Sequence, residues 1–194
     1  MRRTGIYGGS FNPIHNGHVS LAKQMLRRGM MDEVWLMVSP MNPLKQGNSD
    51  LLPDALRLEL ATMALEDEPG LSACDFEFHL PKPSYTWNTL QSLSKAFPDR
   101  QFMLVIGADN WELFPRWYRH DDIIANYPIV VYPRQGTTID PDTLPDGVTL
   151  VDMPLYYVSS TEIRNRVKEG KSIRNLVPAK IMDKVIDYYS SKNL

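Results

Sequence analysis

Short apolar runs alternate along this chain with longer stretches whose apolar positions recur every three or four residues. That alternation predicts strands joined by crossover helices, and so a parallel sheet. Strands are expected at residues 4–7, 33–38, 71–78, 101–106, 129–132 and 148–151. The run Gln-Phe-Met-Leu-Val-Ile at 101–106 reads as the most deeply buried of them. Helices are expected at 17–28, with the stripe Val19, Leu21, Ala22, Met25 and Leu26, and at 53–65, with Leu56, Leu60, Met63 and Ala64. Further helices are expected at 87–97, 160–167 and 178–189. Gly29 stands where a C-cap belongs and Pro53 where a helix begins. The proline- and glycine-containing stretch 135–147 reads as a loop.

This pattern specifies an α/β fold with an open, doubly wound parallel sheet of Rossmann-like type. The reading places a single domain over 1–194, with a small helical part at about 160–194. In such sheets ligands bind beyond the carboxyl ends of the strands, at a topological switch point. Chemistry is therefore sought after Tyr7, Val38, Ile106, Tyr132 and Val151.

Composition narrows the class. At 194 residues, 43% hydrophobic, the chain can bury a core without disulfides. Its formal net charge of −2 gives no global field for nucleic acid or an anionic membrane, so any phosphate site has to be local. The lone cysteine, Cys74, excludes an internal disulfide and a multi-cysteine metal site. Met1-Arg2-Arg3 is followed at once by Gly5, Gly8 and Gly9 rather than by a long apolar stretch, so a soluble, cytoplasmic protein is expected.

Directly after the first strand comes Gly8-Gly9-Ser10-Phe11-Asn12-Pro13-Ile14-His15-Asn16-Gly17-His18. The paired glycines let a nucleotide approach the main chain. The stretch is neither a Gly-x-Gly-x-x-Gly fingerprint nor a P-loop. It offers instead two histidines three apart at a helix start, where both rings and the helix dipole face one ligand. That suits a polyphosphate. Metal ligation is the rival use of such a pair, but no acidic or cysteine ligand lies near in sequence.

Near the other end, Ser159-Ser160-Thr161-Glu162-Ile163-Arg164 puts three hydroxyls and a guanidinium at another helix start. Any one of these serines is adequately explained as an N-cap. Together with Arg164 they also make an anion site. Four further positions have innocent accounts when taken singly. These are Lys45 after the second strand, Ser84-Tyr85-Thr86 before a helix, Asp109 after the deepest strand, and Trp117-Tyr118 beyond it.

The first motif resembles the phosphate-binding motif of the nucleotidylyltransferase superfamily, with Asn12 where Asp is usual. The second matches that superfamily's Ser-Ser-Thr-x-Ile-Arg element. Across nearly the whole chain the sequence is similar to the bacterial nicotinate (nicotinamide) mononucleotide adenylyltransferases. The resemblance implies adenylyl transfer from ATP to nicotinate mononucleotide, giving deamido-NAD and pyrophosphate in NAD biosynthesis, with Mg2+ carried on the ATP and no resident metal. It assigns catalysis to His15, His18 and Arg164. ATP binding would fall to Gly8, Gly9, Ser10, Phe11, Gly17, Gly107, Arg134, Ser159, Ser160 and Thr161. Acceptor binding would fall to Lys45, Ser84, Tyr85, Thr86, Asp109, Trp117 and Tyr118, with Trp117 stacking on the pyridine ring. Departures at Asn42-Pro43-Leu44-Lys45, at residues 79–83 and at Asn88 touch the acceptor side.

The nicotinate form is favoured over the nicotinamide form. Phosphopantetheine adenylyltransferase and a cytidylyltransferase are rivals within the class, disfavoured by Trp117 and the Ser-Tyr-Thr segment. A non-catalytic nucleotide sensor and a nucleic-acid module are more distant. No membrane or nucleic-acid partner is expected, and self-association is left open.

Overall fold

The structure, a computed structural model, describes residues 1–40 and 50–190. Lys45, with Asn42, Pro43 and Leu44, lies outside the described residues. Along the chain the elements are β1 (Arg2–Gly9), α1 (Asn16–Arg27), β2 (Glu33–Val38), α2 (Asp54–Leu65), β3 (Leu71–Cys74) and α3 (Thr86–Ala96). Then follow β4 (Arg100–Gly107), α4 (Ala108–Leu113), α5 (His120–Asn126), β5 (Ile129–Tyr132), β6 (Val148–Leu150), α6 (Ser160–Lys168) and α7 (Met182–Tyr189).

The strands form a six-stranded sheet in the order β3-β2-β1-β4-β5-β6, and every neighbouring pair is parallel. Parallel strands have both faces covered by helices, which is why β5, and β2 after Glu33, read as unbroken apolar runs. The order reverses direction between β1 and β4, so the switch point lies where β1 ends in Gly8-Gly9 and β4 ends in Gly107. At the opposite edge, Thr4 Oγ1 donates to Glu33 at 2.7 Å and Arg100 Nε donates to the same carboxylate at 2.9 Å. That network pins the amino ends of three strands and leaves the carboxyl edge open for ligands.

Residues 71–78 are not one strand, as their alternation of apolar and polar residues suggests. The strand stops at Cys74 and a 3-10 turn runs over Phe76–His79. The edge strand has a neighbour on one side only, so little holds its extension. The turn lets Phe76 pack near Phe97, with ring centroids 6.2 Å apart, while Glu77 meets Thr89. The last helix likewise begins as a 3-10 turn, Ala179–Ile181, before α7. The segment after β4 carries two short helices, α4 and α5, that the pattern did not predict. Gly29, with φ of +65°, ends α1 as expected. No described helix is long and apolar enough to cross a membrane.

Candidate active site

His15 is the N-cap of α1, extended in backbone and buried at 4% exposure. His18 sits one turn on, and its ring stacks on that of His15 with centroids 3.6 Å apart and planes 19° from parallel. The backbone N–H of His15 donates to His18 Nδ1 at 3.2 Å, which leaves the proton of a neutral His18 on Nε2. The rings of Tyr7 and Phe11 meet His18 edge-on, at 6.1 and 4.9 Å. Burial pushes the His15 imidazole down to about 4, and the Arg134 charge pushes in the same direction. His18 is held well below the usual histidine value by burial first, then by His15 and Arg134. Both rings are therefore neutral at pH 7 in the free protein, each carrying one ring N–H. Among the described side-chain atoms, His15 Nδ1 is buried with no hydrogen-bond partner, as is Arg164 Nε.

The two motifs bond to each other. Ser160 Oγ donates to the Pro13 carbonyl at 2.9 Å, and Arg164 Nη1 donates to the Asn12 carbonyl at 2.8 Å. Arg164 Nη2 also reaches the Thr161 hydroxyl at 3.3 Å. Ser159, rather than Ser160, caps α6, accepting from the Glu162 N–H at 3.1 Å. Carbonyls of the β1–α1 loop are thus held by donors of α6, which fixes one motif against the other.

Two cavities open at the carboxyl edge. The larger, about 340 Å³, is lined by His15, Gly17, His18, Asp109, Arg134 and Ser159 among others. A Cβ on Gly17 would lie 3.1 Å from the His15 ring and 3.3 Å from Tyr156 Cβ, so glycine keeps the approach to the histidines clear. Arg134 Nε lies 3.5 Å from Asp109 Oδ1, and a Cβ on Gly107 would collide with both of these side chains. The smaller cavity, about 160 Å³, has Gly8, Gly9, Thr86, Gly107 and Trp117 in its walls. Tyr132 lines both.

The residues expected to bind ATP therefore divide. Gly8, Gly9 and Gly107 face the smaller cavity, and Asp109, expected on the acceptor side, faces the larger. Phe11 lies beneath the site at 2% exposure, with φ of +44°, and supports His18 rather than lining either cavity. Ser10 and Thr161 are exposed. Tyr85 and Tyr118 pair with each other at 5.0 Å, both exposed, beside Ser84 and outside the lining of the smaller cavity.

Sequence reasoning missed Tyr7, Tyr132 and Tyr156 in the larger cavity, and Glu77, Thr89 and Asn110 in the smaller. Tyr132 ends β5 and Tyr7 lies just before the closing glycines of β1, both at the expected ligand edge, a usable signal. Tyr156 accepts from Gln24 Nε2 at 2.6 Å, a contact between residues far apart in sequence with no local signature. Burial raises the Glu77 carboxyl, against hydrogen bonds from Thr89 and Ser39.

Among the described residues, no group of three or more His, Cys, Asp and Glu side chains is placed to hold a metal ion. The donor set of imidazoles, hydroxyls and guanidinium has the chemistry of an anion site rather than of a metal site. Asp109, the carboxylate in the larger cavity, is already paired with Arg134.

Residues 6–166 match the cytidylyltransferase-like family. The chain is 45% identical over 189 residues to a protein of Bacteroides fragilis named "Probable nicotinate-nucleotide adenylyltransferase", covering 97% of this chain and 94% of that one. A protein of the same name from Bacteroides thetaiotaomicron is 46% identical, covering 96% and 92%. Among solved structures, the nicotinic acid mononucleotide adenylyltransferase of Plasmodium falciparum complexed with NaAD shares the fold. It superposes with a TM-score of 0.81 at 19% identity, over 97% of this chain and 96% of that one. The chain belongs to the nicotinate-nucleotide adenylyltransferase family, within the cytidylyltransferase-like proteins.

Proposed function

We propose that the chain transfers the adenylyl group of ATP to the 5′-phosphate of nicotinate mononucleotide, releasing pyrophosphate and forming deamido-NAD. The observation that carries this reading is the pair of cavities flanking the β1/β4 switch point with Tyr132 in the wall of both. ATP occupies the larger, over the stacked histidines, with Arg134 on the adenosine side. The pyridine nucleotide occupies the smaller, where the Trp117 indole offers a face to an electron-poor pyridinium.

The acceptor phosphate loses its second proton near pH ~6, so at neutral pH it attacks the α-phosphorus without a general base. Catalysis then consists of positioning and charge stabilisation. His18 Nε2–H and the His15 ring donate to oxygens of the pentavalent transition state. The α6 terminus, with Ser159, Ser160, Thr161 and Arg164, meets the departing phosphates. Mg2+ would come with the nucleotide rather than be held by described side chains, and would supply neutralisation of phosphate charge.

The test is pyrophosphate release from ATP and Mg2+ with nicotinate mononucleotide, nicotinamide mononucleotide and phosphopantetheine offered separately. Turnover with the nicotinate nucleotide alone is expected. Equal turnover with the amide removes the acid preference, and turnover with phosphopantetheine alone overturns the reading.

A further inference from the structure

Arg57 heads the fully buried side chains of the described residues in volume, with 0% exposure. It sits in the first turns of α2, yet its guanidinium reaches beneath two strand-end loops. Nη1 donates to the Ser10 carbonyl at 2.5 Å and to the Ser39 carbonyl at 2.9 Å. Nε donates to the Leu52 carbonyl at 2.9 Å, and Nη2 pairs with Asp54 at 2.5 Å. One rigid donor fork thus ties carbonyls from three separate segments.

Two of those segments run beside the cavities. Ser10 lines neither, but its loop leads from Gly9, in the smaller cavity, to the stacked histidines in the larger. Ser39 follows β2 and lines the smaller cavity. Arg57 therefore spans from the donor loop to the acceptor wall without touching either ligand space. It also acts on the residue after Ser10. Carbonyl and N–H of a trans peptide point in opposite directions, so fixing the Ser10 carbonyl on Arg57 turns the Phe11 N–H away from it. Phe11 holds a φ of +44°, which a bulky residue keeps only when its surroundings over-determine it. A buried ion pair is weak evidence for stability, since apolar residues of similar volume commonly replace one at no loss. What such residues cannot supply is the common anchor for three carbonyls.

We propose that Arg57 is a positioning residue for adenylyl transfer, fixing the distance and angle between the ATP-binding loop and the acceptor wall through the Ser10 and Ser39 carbonyls. The proposal rests on the assignment of the two cavities above. A misplacement of about 1 Å remote from the reacting atoms can cost about 100-fold in rate.

Arg57→Lys keeps the charge and loses the fork, and Asp54→Asn loosens the fork while leaving Arg57 in place. With ATP and nicotinate mononucleotide, kcat of folded Arg57→Lys is expected to fall about 100-fold while both KM values stay within about threefold. Asp54→Asn is expected to show a smaller loss in kcat alone, and it decides the matter if Arg57→Lys does not fold. Hydrogen exchange supplies a readout independent of activity. The Ser39 N–H, bonded to Gly9 O at 2.9 Å, and the Leu52 N–H, bonded to Asn12 Oδ1 at 3.1 Å, should exchange about tenfold faster. The Leu104 N–H, bonded to Pro128 O, should not change. Wild-type kcat in either folded variant, or protection lost evenly across the sheet, overturns the proposal. If the wild-type protein is itself silent with the nicotinate nucleotide, the cavity assignment fails, and the exchange pattern alone decides whether Arg57 holds these loops.

Discussion

His18 accepts the backbone N–H of His15 on Nδ1 at 3.2 Å while the two imidazoles stack 3.6 Å apart. One contact thereby sets both the tautomer and the ring plane of His18, so its Nε2–H is oriented before any nucleotide arrives. Replacing His18 by Ala removes that donor. Turnover should fall by about two to three orders of magnitude with only a few-fold loss of ATP affinity. Single-turnover rates alongside equilibrium ATP titration separate the two effects, and near-wild-type turnover would remove His18 from the transition state.

The buried histidines also tie stability to pH. The His15 imidazole titrates near 4 when folded and near 6.5 when unfolded. Between those values the unfolded chain binds the extra proton, so stability is full above about pH 6.5 and falls as pH drops toward 4. A shift of this size corresponds to about 3 kcal/mol when the window is crossed completely. His18 is displaced in the same direction and steepens the loss. Urea unfolding at about pH 7.5 and about pH 5 should show it, and His15→Gln should flatten the slope.

Trp117→Ala should raise KM for the nicotinate nucleotide about tenfold, the scale of one desolvated ring contact, and leave KM for ATP nearly unchanged. Steady-state kinetics with each substrate varied in turn checks this. A larger effect on ATP would mean that the cavities are assigned the wrong way round.

Asn12 holds the loop through both ends of its amide. Its Nδ2 donates to the Asp50 carbonyl at 2.8 Å, and its Oδ1 accepts from the Leu52 N–H at 3.1 Å and the Tyr189 hydroxyl at 2.5 Å. A carboxylate in its place would keep the acceptor and lose the donor. Asn12→Asp should therefore lower stability by about 1–2 kcal/mol, and Tyr189→Phe by a similar amount. The two losses should add to a first approximation, because the first removes the Nδ2 donor and the second removes a partner of the retained oxygen. Thermal melts of the single and double variants test this.

The sheet was legible because fully buried parallel strands read as continuous apolar runs, as in β2, β4 and β5. The helix α1 was legible from one stripe and one glycine. The 3-10 turn at residues 76–79 was misread because Phe76, Glu77 and Phe78 alternate like a strand, and only the sheet edge decides where extension stops. The short helices α4 and α5 carry too few turns for a period. Around the site, His15, His18 and Arg164 announced themselves as chemistry bunched at helix starts. Arg57 and Asn12 did not, since their work is done through backbone carbonyls and amides distant in sequence. Nor could spacing say that Gly8 and Asp109 face different cavities, because that depends on which way each strand end turns.

The bond from Tyr189 to Asn12 joins residues 177 positions apart. During synthesis the β1–α1 loop emerges early and then waits for nearly all of the remaining chain before its last tie can form. A nascent chain ending before α7 can build the sheet and stack its histidines, with the loop held by Asp50, Leu52, Arg57 and Arg164 but not yet by Tyr189. The full set of ties on this loop is therefore among the last contacts this protein completes as it is made.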